Sequence, residues 1–254
     1  RIVTPEESVA RMMPLLDPLT GVVSELRRIP YEDASIHVFT SGLNGAVAHR
    51  DLTGLRSGLR RSSSGKGFTE AQARASALGE AVERHSAAFQ GDEPILRAAY
   101  REIADKAIHP SRCLHYSERQ YASQYIGTAG SAPDEWIPAR FDEDATIDWS
   151  PIWSMTERRT KYLPTAFLYF GHESPDHQFG RGDSNGNAAG NTLEEAALQG
   201  FFELVERDST AMWWYNRAER PAVDGTGPDS DQDPAIPAEL AQHVHVLRVA
   251  DAAL

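Results

Sequence analysis

Two stretches of this chain carry the same reactive side chains at the same spacing: Glu80-x-x-Glu83-Arg84 and, 123 residues later, Glu203-x-x-Glu206-Arg207. On a helix, positions three and four apart share a face. Ser76, Glu80, Glu83 and Arg84 then form one polar stripe, and Glu195, Gln199, Glu203, Glu206 and Arg207 a longer one. Carboxylates withdrawn from water must be paired or must bind a cation. Glutamate oxygens suit hard cations, Mg2+ above all, and Mg2+ shares its shell with phosphate oxygens. The planar fork of arginine fits phosphate directly. The chemistry within reach is the holding of a nucleotide polyphosphate by metal ions between two carboxylate-bearing helices. A plainer alternative stands beside it: Glu80–Arg84 and Glu203–Arg207 are i,i+4 pairs, a common decoration of helix surfaces contributing about 0.3–0.5 kcal/mol each. Gln72 and Glu195 likewise fit the role of capping-box partners.

The elements that must position these residues repeat as well. At the same offset Gly67 aligns with Gly190, Thr69 with Thr192, Ala73 with Ala196 and Ser86 with Ser209. Each copy is a glycine-containing approach, a Thr-capped start, an apolar stretch and then Glu-x-x-Glu-Arg. This implies two equivalent halves packed about an approximate two-fold axis. The predicted helices run from Thr69 to about Phe89 and from Thr192 to about Arg217, each opening with a capping box. In the second helix Leu198, Phe201, Phe202, Leu204 and Val205 nearly surround the stripe, which predicts a helix buried on more than one side. Trp213 and Trp214 extend it and read as core.

Around these helices the pattern predicts an opening helix over 4–16, capped by Thr4 and Glu7, and strands over 19–29 and 34–41. Residues 58–67 read as a polar approach. A helix is predicted over 95–105, short strands and loops over 110–160, and a buried strand over 161–170. Residues 172–190 read as a long connection. A loop over 221–237, a short helix and a strand follow. Strands alternating with helices give an α/β (α+β) fold, and no composition break divides it. Residues 1–254 are expected to form a single domain, incomplete at the C-terminus.

Composition excludes several function classes. The net charge of −12 disfavours nonspecific binding to nucleic acid or an anionic membrane. No apolar run reaches the roughly 18 residues of a membrane helix. Cys113 is the only cysteine, which excludes an intrachain disulfide and Cys-rich zinc patterns and makes a cytoplasmic location the default. SSSGKGF (62–68) fails the phosphate-loop spacing, because Arg60 stands where the first glycine belongs; Lys66 reads as a solvated lysine. No nucleophile elbow, dinucleotide fingerprint or His-Glu-x-x-His zinc spacing occurs. Cys113 and His115 make only a weak catalytic pair.

SSSGKGFTEAQARASALGEAVERHS and NGNAAGNTLEEAALQGFFELVERDSTAMWWYNR resemble the two helical signatures of the YcaO superfamily. The first, Ser-x3-Glu-x2-Glu-Arg, is matched by Ser76, Glu80, Glu83 and Arg84. The second, Glu-x3-Gln-x3-Glu-x2-Glu-Arg, is matched by Glu195, Gln199, Glu203, Glu206 and Arg207. RIVTPEESVARMMPLLDPLTGVVSEL and the RPAVD after the second helix resemble the peptide-modifying branch. The resemblance spans nearly the whole chain and is weakest over 105–160.

The resemblance implies a YcaO-type ATP fold with internal pseudo-two-fold symmetry. It implies Mg2+ at Glu80, Glu83, Glu203 and Glu206, and ATP held by these together with Ser76, Arg84, Glu195, Gln199 and Arg207. The implied activity is an ATP-dependent cyclodehydratase acting on a ribosomally made precursor peptide, in bacteriocin-like natural-product biosynthesis. A Cys, Ser or Thr side chain attacks the preceding carbonyl, the oxyanion takes the γ-phosphoryl group, and loss of phosphate leaves a thiazoline or oxazoline. Thioamide or amidine formation, or a non-catalytic nucleotide- or peptide-binding scaffold, are the alternatives. A separate leader-binding partner protein of the ThiF-like (E1-like) kind is expected, and a homodimer is the oligomeric state the resemblance suggests. Two departures bear on this. Ala188 stands where some members have a serine, and the third signature, Glu-x2-Arg, with the proline-rich tail and the expected catalytic base, is expected either beyond Leu254 or to be absent.

Overall fold

The computed structural model describes residues 2–30, 36–43, 62–122, 137–172 and 178–219. The expected loop, helix and strand after residue 220 lie outside the described residues. The chain divides into two compact units, one of Arg1–Asn44, Leu59–Val82 and Ala188–Leu254, the other of Gly45–Gly58 and Glu83–Asn187.

The first unit opens with helix α1 (Pro5–Met12). Its Thr4 hydroxyl accepts from the Glu7 N–H and the Glu7 carboxylate accepts from the Thr4 N–H, the predicted reciprocal cap. A 3-10 turn, Met13–Leu15, shortens the helix expected to reach residue 16. Strands β1 (Val23–Ile29), β2 (His37–Leu43) and β3 (Ser62–Gly67) form an antiparallel sheet in that order. Helix α2 (Glu70–Ser86) begins in this unit and buries Ala73, Ala77, Leu78 and Ala81 against it. Leu78 and Ala81 meet Val9 and Val23, while Ala73 and Ala77 meet Phe39. The small alanines bring helix and sheet so close that the buried Ser41 hydroxyl donates to the Ala77 carbonyl at 2.8 Å. The long helix α7 (Leu193–Asn216) completes this unit and ends with Arg217 in the left-handed conformation, φ 49°.

β3 corrects the reading of 58–67 as a polar approach over its described part, 62–67, which is a strand. Its inward positions are Ser63 and Gly65, so the apolar alternation that marks a strand is missing. A Cβ on Gly65 would stand 2.1 Å from the Ala77 nitrogen and 2.3 Å from the Ala73 carbonyl oxygen. Only glycine lets the strand lie flat on the helix backbone.

The second unit holds an antiparallel sheet of β4 (Leu96–Ala99), β5 (Thr146–Ser154) and β6 (Arg159–Pro164), in that order. Helices α3 (Tyr100–Ile103), α4 (Ser111–Leu114), α5 (Glu118–Ala122) and α6 (Thr165–Leu168) are each about one turn long. The helix expected over 95–105 is thus a strand followed by one turn. Ala98 faces the core of Ile103, Ala107, Ile147, Trp149 and Phe179 while its carbonyl accepts from the Trp149 indole at 3.0 Å. The strand expected over 161–170 stops at Pro164, where α6 begins, and the Thr165 and Ser150 hydroxyls pair at 2.9 Å.

Candidate functional site

The two signature helices start in matching local frames. At α2, the Thr69 hydroxyl accepts from the Gln72 N–H at 3.2 Å, and the Gln72 side-chain oxygen accepts from the Phe68 and Thr69 N–H groups. At α7, the Thr192 hydroxyl accepts from the Glu195 N–H at 3.3 Å. A Cβ on Gly67 would meet the Ala73 nitrogen at 2.8 Å, and one on Gly190 the Ala196 nitrogen at 2.3 Å. Gly67 and Gly190, and Ala73 and Ala196, are the same positions of the repeat. Each approach therefore lies against the first turn of its own helix.

Along α2 the stripe runs from exposed Ser76 to half-buried Glu80 and Glu83 and exposed Arg84. Glu80 accepts a hydrogen bond from the Ser64 backbone N–H at 3.0 Å, so the edge strand β3 holds this carboxylate. Glu83 and Arg84 follow one helical turn on, in the part of α2 belonging to the second unit. Sequence reasoning missed Ser64; a backbone N–H leaves no trace in the sequence.

On α7, the Glu195 carboxylate reaches past Thr192, its expected capping-box partner, to Asn191. Its Oε2 accepts from both the backbone N–H (2.9 Å) and side-chain Nδ2 (3.1 Å) of Asn191, whose amide also contacts Ser8 of α1 at 3.1 Å. Asn191 was likewise not singled out, although an Asn ahead of a capping Thr is a turn signal. Glu203 is half-buried and accepts from Arg207 at 2.9 Å, the i,i+4 pair of the plainer alternative. Gln199, Glu206 and Arg207 are exposed.

The expected burial of α7 is not found. Leu198, Phe201, Phe202, Leu204 and Val205 are all about half exposed, at 47–60%. Trp213 and Trp214, read as core, are 43% and 67% exposed. Gly200 is the helix's one buried residue among the described residues. Hydrophobicity around the circumference states what the helix would gain from burial, and no described element supplies that cover along most of its length.

The donor set fits a hard cation: glutamates on two capped helices, one of them held by a backbone amide. Among the described residues, however, no three His, Cys, Asp or Glu side chains converge into a ready-made metal cluster. The first turn of α7 is electrostatically suited to anions, since its backbone N–H and the Thr192 hydroxyl hold the Glu194 carboxyl below its ordinary pKa. Cys113 sits at the surface on α4, where desolvation of the thiol raises its pKa against the opposing charge of Arg112. This disfavours the thiolate that a nucleophile needs. No described helix is long and apolar enough to cross a membrane.

The sequence model of the YcaO cyclodehydratase family, described as ATP- and Mg2+-binding, matches residues 64–253. A heterocyclase solved in complex with substrate and cofactor is 50% identical, with a TM-score of 0.80 over 91% of this chain and 31% of its own. The heterocyclase TruD is 44% identical, with a TM-score of 0.63 over 91% of this chain and 28% of its own. A protein of Methanothermobacter thermautotrophicus described only as uncharacterized is 29% identical over 170 residues, 66% of this chain and 38% of that one. The chain thus spans about a third of the length of these relatives.

Proposed function

This chain belongs to the YcaO cyclodehydratase family, and from that premise we propose that it carries the ATP-binding part of a peptide heterocyclase. The reaction converts Cys, Ser or Thr of a ribosomal precursor peptide to thiazoline or oxazoline. Glu80, Glu83, Glu203 and Glu206 would hold Mg2+. Ser76, Arg84, Glu195, Gln199 and Arg207 would hold the nucleotide beside them. ATP supplies the phosphoryl group that turns the attacked amide oxygen into a leaving group. The chain's own part is to orient that nucleotide and to balance its charge, the main source of catalysis in phosphoryl transfer.

The observation that carries this reading is the recurrence of one local frame. Two glycines at equivalent positions press each approach onto the first turn of a Thr-capped helix, and each helix then presents Glu-x-x-Glu-Arg. Surface ion pairs need no such frame. Residues 1–254 are proposed to act as one ATP-binding domain with a precursor peptide and a leader-binding protein as partners.

Calorimetric titration of the chain with ATP, with and without Mg2+, tests the proposal. Metal-dependent binding that is lost in Glu83→Gln and in Glu206→Gln is the expected result. Unchanged affinity in both variants would overturn the assignment of these carboxylates.

A further inference from the structure

The second unit contains a buried histidine set against a half-buried carboxylate, a contact that none of the signatures includes. His172 is 3% exposed, and its Nε2 lies 3.3 Å from Oδ2 of Asp148. Asp148 sits on the central strand β5, directly across from Arg97 of β4, whose guanidinium reaches its other oxygen at 3.2 Å. On the far side, the His172 ring packs against Phe89 edge to face, with centroids 4.8 Å apart and planes at 77°.

Phe89 is the exit of α2. The Ala87 N–H donates to the Glu83 carbonyl at 2.9 Å, closing the turn that bears Glu83 and Arg84. The Ala87 carbonyl accepts from the Phe170 N–H, and the Phe89 N–H donates to the Phe170 carbonyl, both at 2.8 Å. Phe170 is two residues before His172. One continuous path of contacts therefore runs from the sheet, through Asp148 and His172, to the last turn of the signature helix.

A polar contact of this kind is a modest source of stability, since both groups give up their hydration to make it. What it gives is a fixed direction. We propose that His172 and Asp148 are positioning residues: they clamp the C-terminal turn of α2 to the second sheet and so fix Glu83 and Arg84 for the metal–nucleotide. This rests on the reading of Glu83 and Arg84 given above. Functional groups of this kind must be held within about 0.5 Å of their working geometry, and their supporting contacts set affinity accordingly.

The test uses the full chain with His172→Phe, which keeps a ring against Phe89 but removes the polar contact, and His172→Gln, which restores a donor toward Asp148. We expect His172→Phe to weaken Mg2+-dependent ATP binding roughly ten- to a hundredfold and His172→Gln to stay within about threefold of the parent. Amide hydrogen exchange without nucleotide should accelerate at Ala87, Phe89 and Phe170 in the Phe variant only. Wild-type affinity or wild-type exchange rates in a folded His172→Phe protein would overturn the proposal. If the parent chain binds no Mg2+–ATP, the nucleotide reading fails, and with it the purpose assigned to the clamp, while the exchange rates still report whether the clamp exists. Should His172→Phe not fold, Asp148→Asn, which removes the charge at constant volume, takes its place with the same two readouts.

Discussion

The Ser64 backbone N–H points into the Glu80 carboxylate at 3.0 Å, so a strand edge and a signature glutamate hold each other. Two substitutions separate the carboxylate's two roles. Glu80→Gln keeps an acceptor for Ser64 but loses the charge; it should unfold at nearly the parent urea midpoint and lose Mg2+-dependent ATP binding. Glu80→Ala should lose both, with a stability deficit of about 1 kcal/mol for a partly exposed hydrogen bond of this kind. Equal stability of Ala and Gln variants would show that Ser64 gains nothing from Glu80.

Gly65 tolerates no side chain. The atoms a Cβ would strike belong to the Ala73 and Ala77 backbone, which cannot turn aside. Gly65→Ala should cost about 3 kcal/mol or more, at the upper end of overpacking effects, and thermal unfolding followed by circular dichroism measures it.

If Glu80 and Glu203 serve one metal–nucleotide site, their effects on ATP affinity will not add. The double variant Glu80→Gln/Glu203→Gln should bind about as weakly as either single one, a coupling of more than about 1 kcal/mol. Strict additivity in the four-protein cycle would assign the two helices to separate tasks.

Asp17 gives a pH signature. The N–H groups of Thr20 and Leu19 and the Thr20 hydroxyl converge on one of its oxygens at 2.8, 2.8 and 3.1 Å, and they hold its pKa below the ordinary value. A depressed carboxylate stabilises the fold above its unfolded pKa of about 3.9, and the contribution fades as pH falls through the lower folded value. The melting-temperature gap between the parent and Asp17→Ala should therefore be constant from pH 7 to about 5 and shrink below pH 4. A gap that persists at pH 3 would mean that Asp17 acts through packing.

What the sequence disclosed and what it hid divide along the reach of each interaction. The caps at Thr4, Thr69 and Thr192 depend on residues three apart and were legible as patterns. β3 was not, because its inward positions are filled by Ser63 and Gly65, chosen by the closeness of α2 rather than by apolarity. β4 passed for a helix because LRAAYREI carries good helix formers, while pairing with β5 overrode that preference. For the site, the order of the carboxylates was visible along the chain. The grips of Ser64 on Glu80 and of His172 on Asp148 were not, since the first is a backbone donor from another element and the second joins residues far apart in sequence, whereas Asn191 lies within one turn of Glu195 and left a turn signal.

The uneven exposure of the tryptophans gives the chain an optical consequence. Trp149 is sealed inside the second unit with its indole N–H bonded, whereas Trp153 on β5 and Trp213 and Trp214 on α7 stand open. Among the described residues, this makes two classes of emitter: a blue-shifted one that iodide cannot reach, and a red-shifted one that it quenches. Whatever comes to cover α7 will shield Trp213 and Trp214, while Trp153 stays open to the quencher and Trp149 stays sealed as an internal standard. The apolar helix face thus reports its own occupancy without a label.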